Sequence, residues 1–275
     1  MSAIASAFTH SRAEGRAALI PYFMAGYPSE DAFCRLVASS FDVGADIVEV
    51  GIPFSDPVAD GPAIQRAGQS SLERNITIDR VISMLTSLKL KGNQPVVLMS
   101  YLNPILQFGV KRFLASAHTA GVRGLIVPDL VVEEGKSIEA DCQSASIDLI
   151  YLVAPTSPPE RQKLIMKRSR GFVYAVSVLG VTGVRSALPD NLLTRLREVK
   201  QMSRLPVAVG FGISSPQAAA RAAQVADGIV VGSALIERMN TEQNEHNQVQ
   251  SVLDLLGQFR SATTLKSTTT DIARK

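Results

Sequence analysis

Apolar positions fall into short, nearly unbroken runs rich in β-branched residues, and roughly every 25 residues a new run begins after a polar turn and a longer stretch of helical spacing. The runs predict strands over residues 17–23, 47–50, 95–99, 124–127, 149–153, 172–176, 206–209 and 228–231. Because polar residues do not alternate with apolar ones inside them, they suit a parallel sheet covered on both faces. The stretches between predict helices over 31–42, 78–90, 110–120, 133–144, 159–169, 191–200, 216–223 and 245–261. Eight β/α units either close as a barrel, with function at the strand C-termini, or wind as an open sheet with function at a switch point. No G-x-G-x-x-G follows the first strand, which weighs against the open dinucleotide-binding form. The expected fold is therefore α/β, a (β/α)8 barrel formed as one domain over residues 1–275, with its core over about 17–260. A short extra N-terminal helix within residues 4–16 is expected to plug the barrel bottom, and the polar end, 265–275, to fray.

Composition narrows the function classes. A chain of 275 residues that is 46% hydrophobic buries a sizeable core. Lys and Arg number 28 against 25 Asp and Glu, and no basic run is interleaved with aromatics, so neither nucleic acid nor an anionic membrane is an expected partner. A small anionic substrate stays open. Cys34 and Cys142 lie far apart within helical stretches and read as thiols in a reducing compartment. His10, His118 and His246 share no ligand spacing, so no metal is expected. The first 16 residues lack a long apolar core and carry Arg12, Glu14 and Arg16, which fits neither a signal peptide nor a membrane span, so the cytoplasm is the expected location.

The most informative stretch is Glu49-Val50-Gly51-Ile52-Pro53-Phe54-Ser55-Asp56-Pro57-Val58-Ala59-Asp60-Gly61-Pro62. It places Glu49 inside an apolar strand, where an uncompensated charge costs several kcal/mol. An internal salt bridge is one reason for it; the strand's C-terminal end, where barrel enzymes collect catalytic groups, is another. Asp56 and Asp60 each read alone as turn residues. Together with Glu49, on a loop stiffened by Pro53, Pro57 and Pro62, they read as a preorganised acid/base pair. Late glycines in Gly180-Val-Thr-Gly183, Gly210-Phe-Gly212 and Gly232-Ser233 follow strands six, seven and eight, where barrels commonly hold phosphate on backbone N–H groups.

The Glu49 to Pro62 segment closely resembles the signature of the tryptophan synthase α subunit family. The resemblance continues through residues 98–104, 126–130, 180–183, 210–216 and 232–233, covering roughly 17–260. It implies retro-aldol cleavage of indole-3-glycerol phosphate to indole and glyceraldehyde 3-phosphate. In that reading Glu49 is the general acid/base at indole carbon 3 and at the glycerol hydroxyl, Asp60 hydrogen-bonds the indole nitrogen, and Tyr174 helps position Glu49 and substrate. The resemblance further implies indole contacts at Tyr22, Ile64, Met99, Ile126 and Phe211, each equally a core position, and a closing loop at Thr182. Phosphate is assigned to Gly183, Gly212, Gly232 and Ser233, with Ser233 capping the helix after strand eight. Family members form α2β2 complexes with a β subunit that carries pyridoxal phosphate, so no cofactor is expected on this chain. Pro53, Asp56, Asn103 and Pro104 resemble segments that face that subunit. The chain departs from many relatives at Tyr22, usually Phe, at Tyr27, usually Asp, and at Val131, usually Pro. Among rivals, an indole-glycerol-phosphate synthase needs a catalytic Lys at a strand end, and none is found there. A non-catalytic barrel that binds and activates a partner enzyme has no need of paired buried carboxylates.

Overall fold

A computed structural model describes residues 2–154, 157–176, 190–210 and 212–265. Its strands are β1 (Ala18–Met24), β2 (Val48–Gly51), β3 (Val96–Met99), β4 (Val122–Ile126), β5 (Asp148–Ile150), β6 (Leu152–Val153), β7 (Val173–Val176), β8 (Val207–Gly210) and β9 (Gly228–Val231). All pair in parallel, in the order β5-β4-β3-β2-β1-β9-β8-β7-β6. The edges β5 and β6 are consecutive in the chain, separated only by Tyr151, so one expected strand supplies both edges and the barrel closes on it. The seam carries its own ladder: the Tyr174 N–H donates to the Tyr151 carbonyl at 3.2 Å, and Arg170 N–H to Leu149 at 2.9 Å. Eight expected strands thus become nine through one break at Tyr151.

Around the sheet lie α2 (Glu30–Asp42), α3 (Pro62–Glu73), α4 (Ile78–Ser87), α5 (Leu102–Phe108), α6 (Val110–Thr119), α7 (Lys136–Ser144), α8 (Pro159–Arg168), α9 (Asp190–Met202), α10 (Pro216–Ala223), α11 (Ser233–Met239) and α12 (Glu245–Ala262), after an N-terminal α1 (Ala3–Ala13). Two of these, α3 and α5, are absent from the expected pattern, and α11 is expected only through Ser233 as its cap, without bounds. Helix α3 starts on Pro62, whose fixed φ suits a first helical position. Its buried face is Ala63, Ile64, Ala67, Gly68 and Ser71, too small and polar to stand out as an apolar stripe. Helices α5 and α11 span only 7 residues each, about two turns, so they show almost no periodicity.

Helix α1 closes the barrel bottom as expected. Its Ile4 and Phe8 are buried, and glycines clear the way for them: a Cβ on Gly124 would lie 2.8 Å from Ile4 Cδ1, and one on Gly228 2.9 Å from Phe8 Cε1. Nearby, the buried Arg16 guanidinium donates to Asp46 through Nη2 at 2.8 Å, and the Leu19 N–H satisfies the other carboxylate oxygen at 2.8 Å. Each charge there has a partner, which a buried pair requires. Helix α1 thus covers this end of the barrel, opposite the strand C-termini.

Candidate active site

Glu49 sits on β2 opposite Tyr22 of β1, with 1% of its surface exposed. Its Oε2 is buried without a hydrogen-bond partner among the described residues. Burial, with a smaller contribution from the Asp60 charge, pushes its pKa up to about 8. Asp60 closes the loop after β2, 8% exposed, and its Oδ1 also lacks a partner among the described residues. Burial raises its pKa to about 6, against a downward pull from the Tyr101 hydrogen bond. Two acids in one chamber with pKa values driven apart can divide acid and base roles near neutral pH.

The loop that carries Asp60 is held by specific contacts. The Ala59 N–H donates to the Tyr101 hydroxyl at 2.9 Å, the Asp60 N–H to Pro57 O at 3.1 Å, and Gln65 Nε2 to Asp60 O at 2.9 Å. The Phe54 and Tyr101 rings pack with centroids 5.3 Å apart. Tyr101 therefore fixes the loop and also touches the carboxylate, a role the sequence reading missed. Only the fold brings position 101 to position 60.

Tyr22 and Tyr174 are both buried, and burial followed by the two carboxylate charges pushes their phenols well above the usual range. Each hydroxyl occupies a socket made by a glycine on the next strand: a side chain on Gly51 would overlap the Tyr22 hydroxyl, and one on Gly210 the Tyr174 hydroxyl. Glycine inside an otherwise β-branched strand is the sequence signal that marks such sockets. Met99 and Ile126 are register partners on β3 and β4, and Met99 pairs with Gly51 on its other side. Ile64, in the first turn of α3 after Asp60, is buried as well.

The structure places the remaining expected residues as follows. Thr182, Gly183 and Phe211 lie outside the described residues, as do 266–275 of the expected tail. Gly212 follows β8 with φ of 82°, and Gly232 follows β9. Ser233 does not cap α11: Gly232 holds the cap position and Ser233 is the first helical residue. The chain turns into the helix one residue earlier than expected, so the Ser233 hydroxyl cannot close on the first turn from outside. Asp56 and Asn103 are exposed and Pro104 half-buried, in the first turn of α5 instead of a loop. Pro53 is buried within the chain. Among the described residues no group of three or more His, Cys, Asp or Glu could hold a metal ion, and no helix is long and apolar enough to cross a membrane.

A family model described as "Tryptophan synthase alpha chain" matches residues 8–264. A protein of that name from Carboxydothermus hydrogenoformans is 43% identical over 267 residues, 97% of this chain and 99% of the relative. The solved tryptophan synthase subunit alpha of Legionella pneumophila superposes with a TM-score of 0.87 at 36% identity, covering 96% of this chain and 98% of that one. A chain of Mycobacterium tuberculosis tryptophan synthase gives 0.85 at 38% identity, covering 96% and 99%. With a barrel closed at one end, paired carboxylates at the other and a family match across nearly its whole length, this chain belongs to the tryptophan synthase alpha chain family.

Proposed function

We propose that the chain, acting as one barrel domain, cleaves indole-3-glycerol phosphate to indole and glyceraldehyde 3-phosphate, a lyase step of tryptophan biosynthesis. The observation that carries this reading is the pair of buried carboxylates, each with one unpartnered oxygen at the open barrel face. With pKa values near 8 and 6, Glu49 is protonated and Asp60 ionised at neutral pH. Glu49 gives its proton to indole carbon 3. Asp60 accepts a hydrogen bond from the ring N–H and stabilises the positive charge that develops there. The Glu49 carboxylate then takes the proton of the adjacent glycerol hydroxyl as the carbon–carbon bond breaks, its electron pair restoring the aromatic ring. Glu49 ends protonated, as it began.

Tyr174 is proposed to hold Glu49 and substrate in line. Tyr22, Ile64, Met99, Ile126 and Phe211 form the indole walls, Thr182 belongs to the closing loop, and Gly183, Gly212, Gly232 and Ser233 present backbone N–H groups to the phosphate. Support for the phosphate site comes from the placement of Gly212, Gly232 and Ser233 directly after β8 and β9. The test is indole release by purified chain: Glu49→Gln is expected to lose cleavage while keeping its thermal unfolding midpoint near pH 6, and full activity in that variant would refute the assignment.

Members of the family pair with a β subunit, and for this chain the proposed assembly is an α2β2 heterotetramer. Pyridoxal phosphate belongs to that partner. Supporting residues are Asp56, Asn103 and Pro104, joined by the exposed apolar side chains of Val58 (84%), Leu106 (53%) and Val131 (41%) in the segments after β2, β3 and β4. The proposed location is the cytoplasm.

A further inference from the structure

Two tyrosines in the barrel share one geometry. Tyr22 of β1 has Glu49 as its register partner on β2, and its hydroxyl rests on Gly51, two residues further along. Tyr174 of β7 has Ala208 as its register partner on β8, and its hydroxyl rests on Gly210, again two residues further along. Both side chains therefore lean along the strand direction toward the open face. They stand three places apart in the sheet order. Glu49 and Gly51, two residues apart, face the same side of β2, so the Tyr22 hydroxyl rests on the face of β2 that carries Glu49. Gly232 supports the other flank of the ring, where a Cβ would lie 3.3 Å from Tyr22 Cδ1.

Among the described residues, the hydrogen-bonding groups at this site are not all paired. Glu49 Oε2 and Asp60 Oδ1 are buried without hydrogen-bond partners among the described residues. The Tyr101 hydroxyl is engaged with the Ala59 N–H and Asp60. The Tyr22 hydroxyl, on a residue only 3% exposed, has no hydrogen-bond partner among the described residues. A buried phenol finds a partner when it can. The proposed substrate would satisfy both carboxylates with its ring N–H and its glycerol hydroxyl. The oxygen of that hydroxyl has room for a donor once its proton leaves for Glu49.

We propose that Tyr22 is a further catalytic residue of the cleavage, its hydroxyl donating a hydrogen bond to the glycerol oxygen that becomes the aldehyde oxygen. This role rests on the function proposed above. Glu49 takes the proton of that oxygen, the carbon–carbon bond breaks, and its electron pair returns to the indole ring. Tyr22 keeps its own proton throughout and acts only as a donor toward the growing negative charge. A donor aimed at developing charge lowers the barrier without tightening the ground state.

The experiment compares wild type and Tyr22→Phe, each with β subunit present, in kcat, KM and the affinity for indole-3-propanol phosphate, which lacks the reacting hydroxyl. The expected result is a kcat lower by about ten- to a hundredfold, as for loss of one transition-state donor. The analogue affinity and unfolding midpoint should not change. An unchanged kcat overturns the role of Tyr22 and leaves the proposed function standing. A matching loss of analogue affinity also overturns it, because the ring would then only shape the pocket. A wild-type chain that releases no indole overturns the proposed function and this role together.

Discussion

A carboxyl whose pKa rises on folding binds its proton more tightly in the native chain than in the unfolded one, so ionising it destabilises the fold. For Glu49, raised to about 8, this stability is full below the ordinary carboxyl range near pH 4.5 and is lost as pH rises toward 8. The expected loss for a shift of that size is a few kcal/mol, on the order of 1.4 per pH unit. Thermal unfolding of the wild type should therefore fall between about pH 4.5 and pH 8, and Glu49→Gln should flatten most of that slope; a slope unchanged in the variant would place the titration elsewhere. The same pair sets the activity profile. Cleavage needs Asp60 ionised and Glu49 protonated, so kcat/KM should rise through about pH 6 and fall through about pH 8, with Glu49→Gln lower by about a hundred- to ten-thousandfold at the optimum. At this scale the sequence was legible where a residue contradicted its surroundings: a Glu inside an apolar strand announces itself. Tyr101 did not, because an aromatic beside an apolar strand is unexceptional until the loop folds back over it.

The strands were readable as unbroken apolar runs because both faces of a closed parallel sheet are covered. Their break at Tyr151 was not, since it comes from a change of ladder partner and leaves the side-chain pattern intact. Helices rich in large apolar residues were readable too, whereas α3 hides its inner face behind Ala, Gly and Ser. The plug helix α1 offers the element-level test. Phe8 is 3% exposed and its ring meets Phe172 at 5.5 Å, so Phe8→Ala should cost about 3 to 5 kcal/mol in urea unfolding through the cavity it leaves. Since α1 lies at the end of the barrel away from Glu49, kcat of the folded variant should stay within about twofold of wild type. A variant of unchanged stability would show that α1 only rests on the barrel.

For the whole molecule, periodicity alone left an open sheet and a closed barrel both standing; the hydrogen bonds across the Tyr151 seam decide for closure. Partner recognition was legible only through resemblance, and the surface adds Val58, Leu106 and Val131 as exposed apolar side chains. Val58→Asp should weaken co-elution with a β subunit by at least about tenfold in apparent affinity, because a charge would be desolvated at the contact, while the isolated chain keeps its basal cleavage. Undiminished co-elution would place the interface on another face. The carboxylate pair also bears on how such a chain changes over generations. Each acid burdens the fold at neutral and alkaline pH, and a single-base change of its codon can relieve that burden. A lineage that had become a mere activator of its partner would shed Glu49 and Asp60 early, as an easy gain in robustness. Their joint presence is therefore what a chain that still turns over substrate is expected to keep.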